Sequence, residues 1–326
     1  MRKEVIELLD ILVCPDDRTK LKVGSNGLEC PSCGLCFSSH DDVPILFGKR
    51  TQAMFESGFP ETIDEKVAKA NWNFHNTNAN CYDEHHAGDI LSFVSQERLR
   101  HNLARLRVNG KKPSRLLDLG CGTGNILRNA DASLKVGIDI STNSIDRAKL
   151  FTPHVFVGDI ASLPFADESF DVVTAFSVLH HVVDIEKLLM EVYRVLVPCG
   201  MFYSDWDPNR SSGALRRLRA QILAFPIVRK LKCSVKNIFP LPKEVLQDEA
   251  VAKAKYEYAL ANYHEDISSH KKFNPRVLRK LLRKIGFHDI GIYVFDHRPV
   301  DNIFRHHKSN WFNDLRYKRF MTFSKK

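Results

Sequence analysis

Several absences narrow this sequence before any motif does. Nowhere do about 20 apolar residues follow one another, so no membrane-spanning helix is expected. The opening "MRKEVIELLDILV" is basic and then apolar, but Glu4, Glu7 and Asp10 interrupt it, which argues against a signal peptide. A short helix running into a strand is predicted there instead. There is no internal repeat and no low-complexity tract, which excludes solenoids and disordered arrays. Evenly spread cysteines are lacking too. Cys14, Cys30, Cys33 and Cys36 are crowded, while Cys81, Cys121, Cys199 and Cys233 are scattered. Crowding of this kind favours metal over disulfides and predicts a cytoplasmic protein.

What is present suits an ordinary globular chain. The 326 residues are 44% hydrophobic and 27% charged, room for one α/β domain and a smaller module. The net charge of +9 favours acidic partners, namely RNA, phosphorylated metabolites or anionic lipid surfaces, without choosing among them.

Three regions are predicted. Residues 1–48 form a cysteine-bearing module, and 49–112 a helical connector and lid with polar breaks near "FHNTNAN" and "NGKKPS". Residues 113–326 form an α/β domain. Its strands are "SRLLDLG", "KVGIDI", "HVFVGD", "DVVTAFSV", "MFYSDW", "HDIGIYVF" and "YKRFMTFSK". The first five are near-continuous apolar runs between helical stretches, the mark of a parallel sheet covered on both faces. "IEKLLMEVYRVL" puts Leu188, Leu189, Val192, Val195 and Leu196 on one helix face. "NPRVLRKLLRKIGF" is a helix with Asn274 as cap, Pro275 first and Gly286 at its end. A basic helical insertion is expected at about 209–270.

The first strand ends in "LLDLGCGTGNI". The dinucleotide fingerprint spaces its glycines G-x-G-x-x-G. Here Gly120, Gly122 and Gly124 alternate, and Asn125 stands where the third glycine belongs. Asp118 closes the first strand and can accept a hydrogen bond from an amino group. Asp139 closes the second, 19 positions after Gly120, the place of a carboxylate that holds a ribose diol. Asp159 closes the third and is followed by Ile160, which suits an adenine edge and ring.

Together, "LLDLGCGTGNI", "VGIDIS", "GDIASLPFADESFDVVTAFSVLHHV" and "EVYRVLVPCG" resemble the class I S-adenosylmethionine-dependent methyltransferases. The branch resembled is that of ubiquinone/menaquinone biosynthesis (methyltransferase type 11). The resemblance covers about residues 117–200. It implies a seven-stranded Rossmann-like sheet whose last strand is antiparallel. It also implies S-adenosylmethionine as cofactor, with Asp118 and Gly120, Cys121, Gly122, Thr123 and Gly124 around the methionine part. Asp139 and Ile140 then serve the ribose, Asp159 and Ile160 the adenine, and Ser177 follows strand four. Cys199 departs from the pattern, which usually has glycine there.

"CPDD" (14–17) and "CPSCG" (30–34) read as two halves of a zinc ribbon. Asp17 occupies a position where cysteine is expected, so Cys14, Asp17, Cys30 and Cys33 are the candidate zinc ligands, with Cys36 as rival fourth ligand. The segment from "LLDILVCP" to "DDVPILF" resembles the Trm112-like domain, in which a small ribbon serves as partner or regulator of methyltransferases.

Methyl transfer needs alignment and sometimes a base. His180 and His181, after the fourth strand, are the base candidates, against simple helix packing. Tyr82 and His85 resemble a helix folding over the cofactor. Arg210, Arg216, Arg217, Arg219, Arg229, Lys230, Lys232 and Lys236 lie in a stretch without acids, a candidate lipid or RNA surface. The expected acceptor is a small or lipid-like molecule, methylated on oxygen or carbon, with peripheral membrane contact. Two alternatives stand: an RNA methyltransferase gripping its substrate with the ribbon, and a non-catalytic cofactor-binding scaffold for a partner enzyme.

Overall fold

The computed structural model describes residues 2–25, 27–57, 60, 62–209, 274–295, 306–309 and 319–326. Nearly all of the expected basic insertion therefore lies outside the described residues. No helix among those described is long and apolar enough to cross a membrane.

The elements run α1 (Lys3–Ile6), β1 (Lys22–Gly24), β2 (Gly27–Glu29), β3 (Cys36–Phe37), β4 (Ser39–His40) and β5 (Val43–Leu46). Helices α2 (Lys49–Ser57), α3 (Ile63–Asn78), α4 (Tyr82–His85) and α5 (Phe93–Ala104) follow. Then come β6 (Arg115–Leu119), α6 (Asn125–Asn129), β7 (Leu134–Asp139), α7 (Thr142–Ala148), β8 (Val155–Gly158) and β9 (Phe170–Phe176). After α8 (Ile185–Val195) and β10 (Leu196–Pro208), the chain is described again from α9 (Pro275–Ile285) through β11 (His288–Phe295), β12 (His306–Lys308) and β13 (Arg319–Lys325).

The sheet order is β12-β11-β13-β10-β9-β6-β7-β8-β5-β4 among the described residues. Strands β8, β7, β6, β9 and β10 are parallel, and β13 is antiparallel to β10. All seven expected strands form. Their central members are apolar because both faces are covered: every residue of β8 is buried, as are Leu116 to Leu119 of β6. Helix α8 covers one face with Ile185, Leu188, Leu189, Val192 and Val195. Asn274 caps α9 by accepting from the Arg276 and Val277 amides, and Gly286 ends it in the left-handed region.

The cysteine-bearing module is not a separate bead. Its strand β5 pairs in parallel with β8, Ile45 opposite Val157, and so extends the large sheet. Leu12 bridges Phe165, and the amides of Val13 and Ala166 exchange bonds with the carbonyls of Pro164 and Ile11. Leu8, Ile11 and Leu12 share one hydrophobic core with Leu117, Ile138 and Phe165. The strand expected after α1 is thereby reduced to isolated bridges. Residues 11–13 divide their hydrogen bonds between this junction, Leu8 and Leu21, and so build no ladder of their own. Cys199, exposed in β10 where the register against β9 shifts, takes a φ of 64°, the conformation for which glycine is the usual residue.

A cavity at the strand ends and a cysteine cluster beside it

The carboxyl ends of β6, β7, β8 and β9 open on a cavity of about 320 Å³. Such crevices are where open α/β sheets bind their ligands. Gly120, Gly122, Thr123, Asp139, Ile140, Asp159, Ile160 and Ser177 all line it. A smaller adjoining pocket, walled also by Gly120, Gly122 and Thr123, holds Asp118 and Cys121. Of the expected cofactor residues, Gly124 lines neither. It opens α6 at a φ of 92°, and a Cβ there would lie 2.6 Å from the Phe151 ring. Helix packing, not ligand access, requires that glycine. Gly122 is the opposite case: φ is 51° and nothing lies within 4 Å of a Cβ. It leaves open space where a ligand can approach the backbone.

The acids are held by loop amides and by a neighbouring strand. Asp139 accepts from the Gly122 amide at 2.8 Å and from the Ser141 amide at 2.9 Å. Asp159 accepts from the Ala161 amide at 2.8 Å, and burial raises its pKa. Asp118 accepts from the Thr174 hydroxyl at 2.7 Å. Burial pushes its pKa up to about 8, and the Asp139 charge adds to the rise.

Helix α3 roofs the cavity. Thr62 and Glu65 cap it reciprocally, and Arg50 donates to Thr62 at 2.9 Å. The helix is tied to both rims. Asn76 accepts from the Ser141 hydroxyl at 2.7 Å and from the Asn143 amide at 3.1 Å. Asn71 donates to the His181 carbonyl at 3.3 Å. The buried Oδ1 of Asn71 has no hydrogen-bond partner, a free acceptor at the cavity wall. The polar break expected at "FHNTNAN" is therefore displaced: α3 runs through Asn78, because its polar residues bond to loops rather than to water. Thr123 donates to Asp83 of α4 at 2.7 Å, closing the roof over the glycine loop.

The two histidines separate. His180 is buried, with Nδ1 3.0 Å from Asp207 Oδ1, and lies outside the cavity lining. His181 lines the cavity, its ring 4.0 Å from that of His180 and 5.5 Å from that of His75. His75, on α3, was not singled out by its sequence context, where it sits in a polar run. Burial lowers its pKa, which favours a neutral imidazole. Tyr82 lines the cavity, and burial pushes its hydroxyl up to about 12; His85 is exposed and does not.

Cys14, Asp17, Cys30 and Cys33 bring one ligand atom each within 4.8 Å of one another. Cys14 Sγ and Cys33 Sγ lie 3.7 Å apart. A tetrahedral zinc with bonds of about 2.3 Å would set its sulfurs about 3.8 Å apart, so this donor set fits the ion. Burial pushes the Cys14 thiol up to about 12, while the Thr19 amide holds Asp17 below the usual carboxylate range. Cys36 is exposed, stands outside this group and contacts the Gly34 carbonyl.

Residues 117–204 match the Methyltransferase domain family, and residues 6–38 match the Trm112p-like protein family. The chain is similar to squalene methyltransferase 1 of Botryococcus braunii, 29% identical over 139 residues, 37% of each chain. It is similar to 24-methylenesterol C-methyltransferase 2 of Arabidopsis thaliana, 31% identical over 121 residues, 33% of this chain and 34% of that one. A third relative is phthiotriol/phenolphthiotriol dimycocerosates methyltransferase 1 of Mycobacterium ulcerans, 28% identical over 193 residues, 52% and 67% of the two chains. The match thus spans about a third of the first two relatives. A crystal structure from Thermotoga maritima, a SAM-dependent methyltransferase described as a possible histamine N-methyltransferase, aligns with a TM-score of 0.50. The identity is 17%, covering 78% of this chain and 99% of that one. Residues 117–204 are therefore similar to methyltransferase domains and residues 6–38 to Trm112p-like proteins, on a fold shared with a solved SAM-dependent methyltransferase.

Proposed function

We propose that the protein transfers a methyl group from S-adenosylmethionine to a small, largely apolar acceptor. The observation that carries this reading is the convergence of Gly122, Asp139 and Asp159 on one roofed cavity, with Asp118 in the pocket beside it. The open space at Gly122 and the unpaired Asn71 oxygen suit a polar nucleoside. Asp139 would receive the ribose hydroxyls with the lone pairs its two amide bonds leave over. Asp159 would accept from the adenine amino group, with Ile140 and Ile160 against the ring. Asp118 and Thr123 would hold the amino-acid end. The bound cofactor supplies an electrophilic methyl on a sulfonium.

For the acceptor end, Met54, Val67, Phe176, Val178 and Val182 give the rest of the cavity an apolar wall. Relatives named for squalene and sterol methylation support the same class. His181 offers an imidazole to that wall and would take the proton an acceptor hydroxyl or carbon gives up. His180, held by Asp207, backs it. A zinc ion at the cysteine cluster would order the ribbon.

Label transfer tests the reading. Pure protein, methyl-labelled S-adenosylmethionine and extract are incubated, then lipid, small-molecule, protein and RNA fractions are separated. Label in the organic-soluble or small-molecule fraction, lost in His181→Ala, is expected. Label confined to RNA would overturn the acceptor class. Cofactor binding without label in any fraction would leave a scaffold.

A further inference from the structure

We propose that a metal ion held by Cys14, Asp17, Cys30 and Cys33 sets the ligand affinity of the nucleoside cavity, acting through Asp16 and the first turn of α2. The inference rests on the methyltransferase reading above.

The turn "CPDD" is a wall shared by the two sites. Cys14 and Asp17 belong to the cysteine cluster, while Asp16, between them, lines the cavity. Asp16 Oδ2 accepts from the Lys49 amide at 2.9 Å, at the start of α2. Its other oxygen lies where a Cβ on Gly48 would sit, 2.2 Å from that position, so the carboxylate rests directly on the entry to the helix. The second ligand loop grips the same turn. The Cys33 carbonyl accepts from Lys49 Nζ at 3.3 Å, and the Cys36 carbonyl from Gln52 Nε2 at 3.4 Å. Arg50, Thr51 and Met54, on the turn so held and just beyond it, line the cavity roof.

The other side of "CPDD" reaches the floor. The Pro15 carbonyl accepts from Ser162 Oγ at 2.7 Å, and Ser162 lines the cavity with Asp159 and Ala161. One four-residue turn therefore touches the cluster, the roof helix and the loop of the third acid. A metal that fixes the two ligand loops to each other also fixes Asp16 against α2. Without it, the two loops keep the long thiol contacts and the Ser32 bond to Asp17, and α2 loses the rigidity of that anchor.

The test uses the full chain and S-adenosylhomocysteine as probe, with affinity read by titration calorimetry and zinc content by metal analysis. Zinc removal should weaken binding about tenfold, the scale of one to two anchoring hydrogen bonds, and added zinc should restore it. Asp16→Ala should weaken it similarly with zinc content unchanged, and chelation should then add little. Asp16→Asn, which keeps an acceptor oxygen, should bind nearly as wild type. Unchanged affinity in the metal-free chain, or in zinc-loaded Asp16→Ala, overturns the proposal, as does a chain that takes up no zinc. Should the metal-free chain unfold by circular dichroism, zinc-loaded Asp16→Ala decides alone. Failure of zinc-loaded wild type to bind the probe overturns the methyltransferase reading itself, and this proposal with it.

Discussion

The floor and the roof of the cavity are built by different physics. The floor consists of strand ends, where Asp118 is fixed by the Thr174 hydroxyl of the neighbouring strand and Asp139 and Asp159 by amides of the loops around them. The roof, α2 and α3, is held by side chains reaching across long stretches of sequence: Asp16 to Lys49, Asn76 to Ser141, Asn71 to His181. A floor of this kind is rigid and costly to alter. A roof of this kind can be loosened one tether at a time.

The sharpest way to break the comparison is Asp139→Ala. It removes the ribose acceptor and strands the Gly122 and Ser141 amides. Loss of charge-assisted bonds worth about 2–3 kcal/mol predicts a roughly 100-fold weaker affinity for S-adenosylhomocysteine, measured by calorimetry. A floor substitution with unchanged affinity would remove the ribose assignment. Gly122→Val comes next. The left-handed backbone costs about 1–2 kcal/mol of stability, read by thermal melting. The side chain would enter the open space at the cavity, so affinity should fall about tenfold or more.

The floor also predicts a pH signature. Asp118, with a pKa of about 8, keeps its proton at neutral pH in the empty cavity. An ammonium group bound beside it favours the ionised form, so binding releases a proton. Affinity should rise with pH and level off above about 8, with the slope abolished in Asp118→Asn. The sign for stability is opposite. The folded carboxyl holds a proton that the unfolded chain releases, so the empty fold loses stability as pH climbs from 3.8 towards about 8. The smallest effect belongs to the roof. Thr62→Ala removes the capping box of α3, worth about 1 kcal/mol, and should weaken probe binding no more than about fivefold. An effect as large as that of Asp139→Ala would erase the distinction between floor and roof.

The same distinction explains what could be read from the sequence. Floor residues announce themselves locally. An apolar run such as "RLLDL" ends in an acid, and a glycine loop follows within a few positions. Roof residues do not. Asn71 and Asn76 are polar residues in a polar stretch, and their partners lie 110 and 65 positions away. A break was therefore expected where the helix continues. His180 and His181 were equivalent by sequence, and only the direction of each ring distinguishes them. Asp17 over Cys36 was a matter of spacing; the positions of the ligand atoms favour Asp17. The expected boundary at residue 48 follows a change in composition, whereas the sheet crosses it through β5.

That crossing has a consequence for synthesis. Ile45 cannot find Val157 until 112 more residues have been made. At 5–20 residues per second this is a wait of roughly 6–22 s, during which "VPIL", paired with β4 along one side, keeps its other side open. The strand thus waits for a partner made much later in the chain. The nascent chain spends that interval with one side of an apolar strand open to wrong partners.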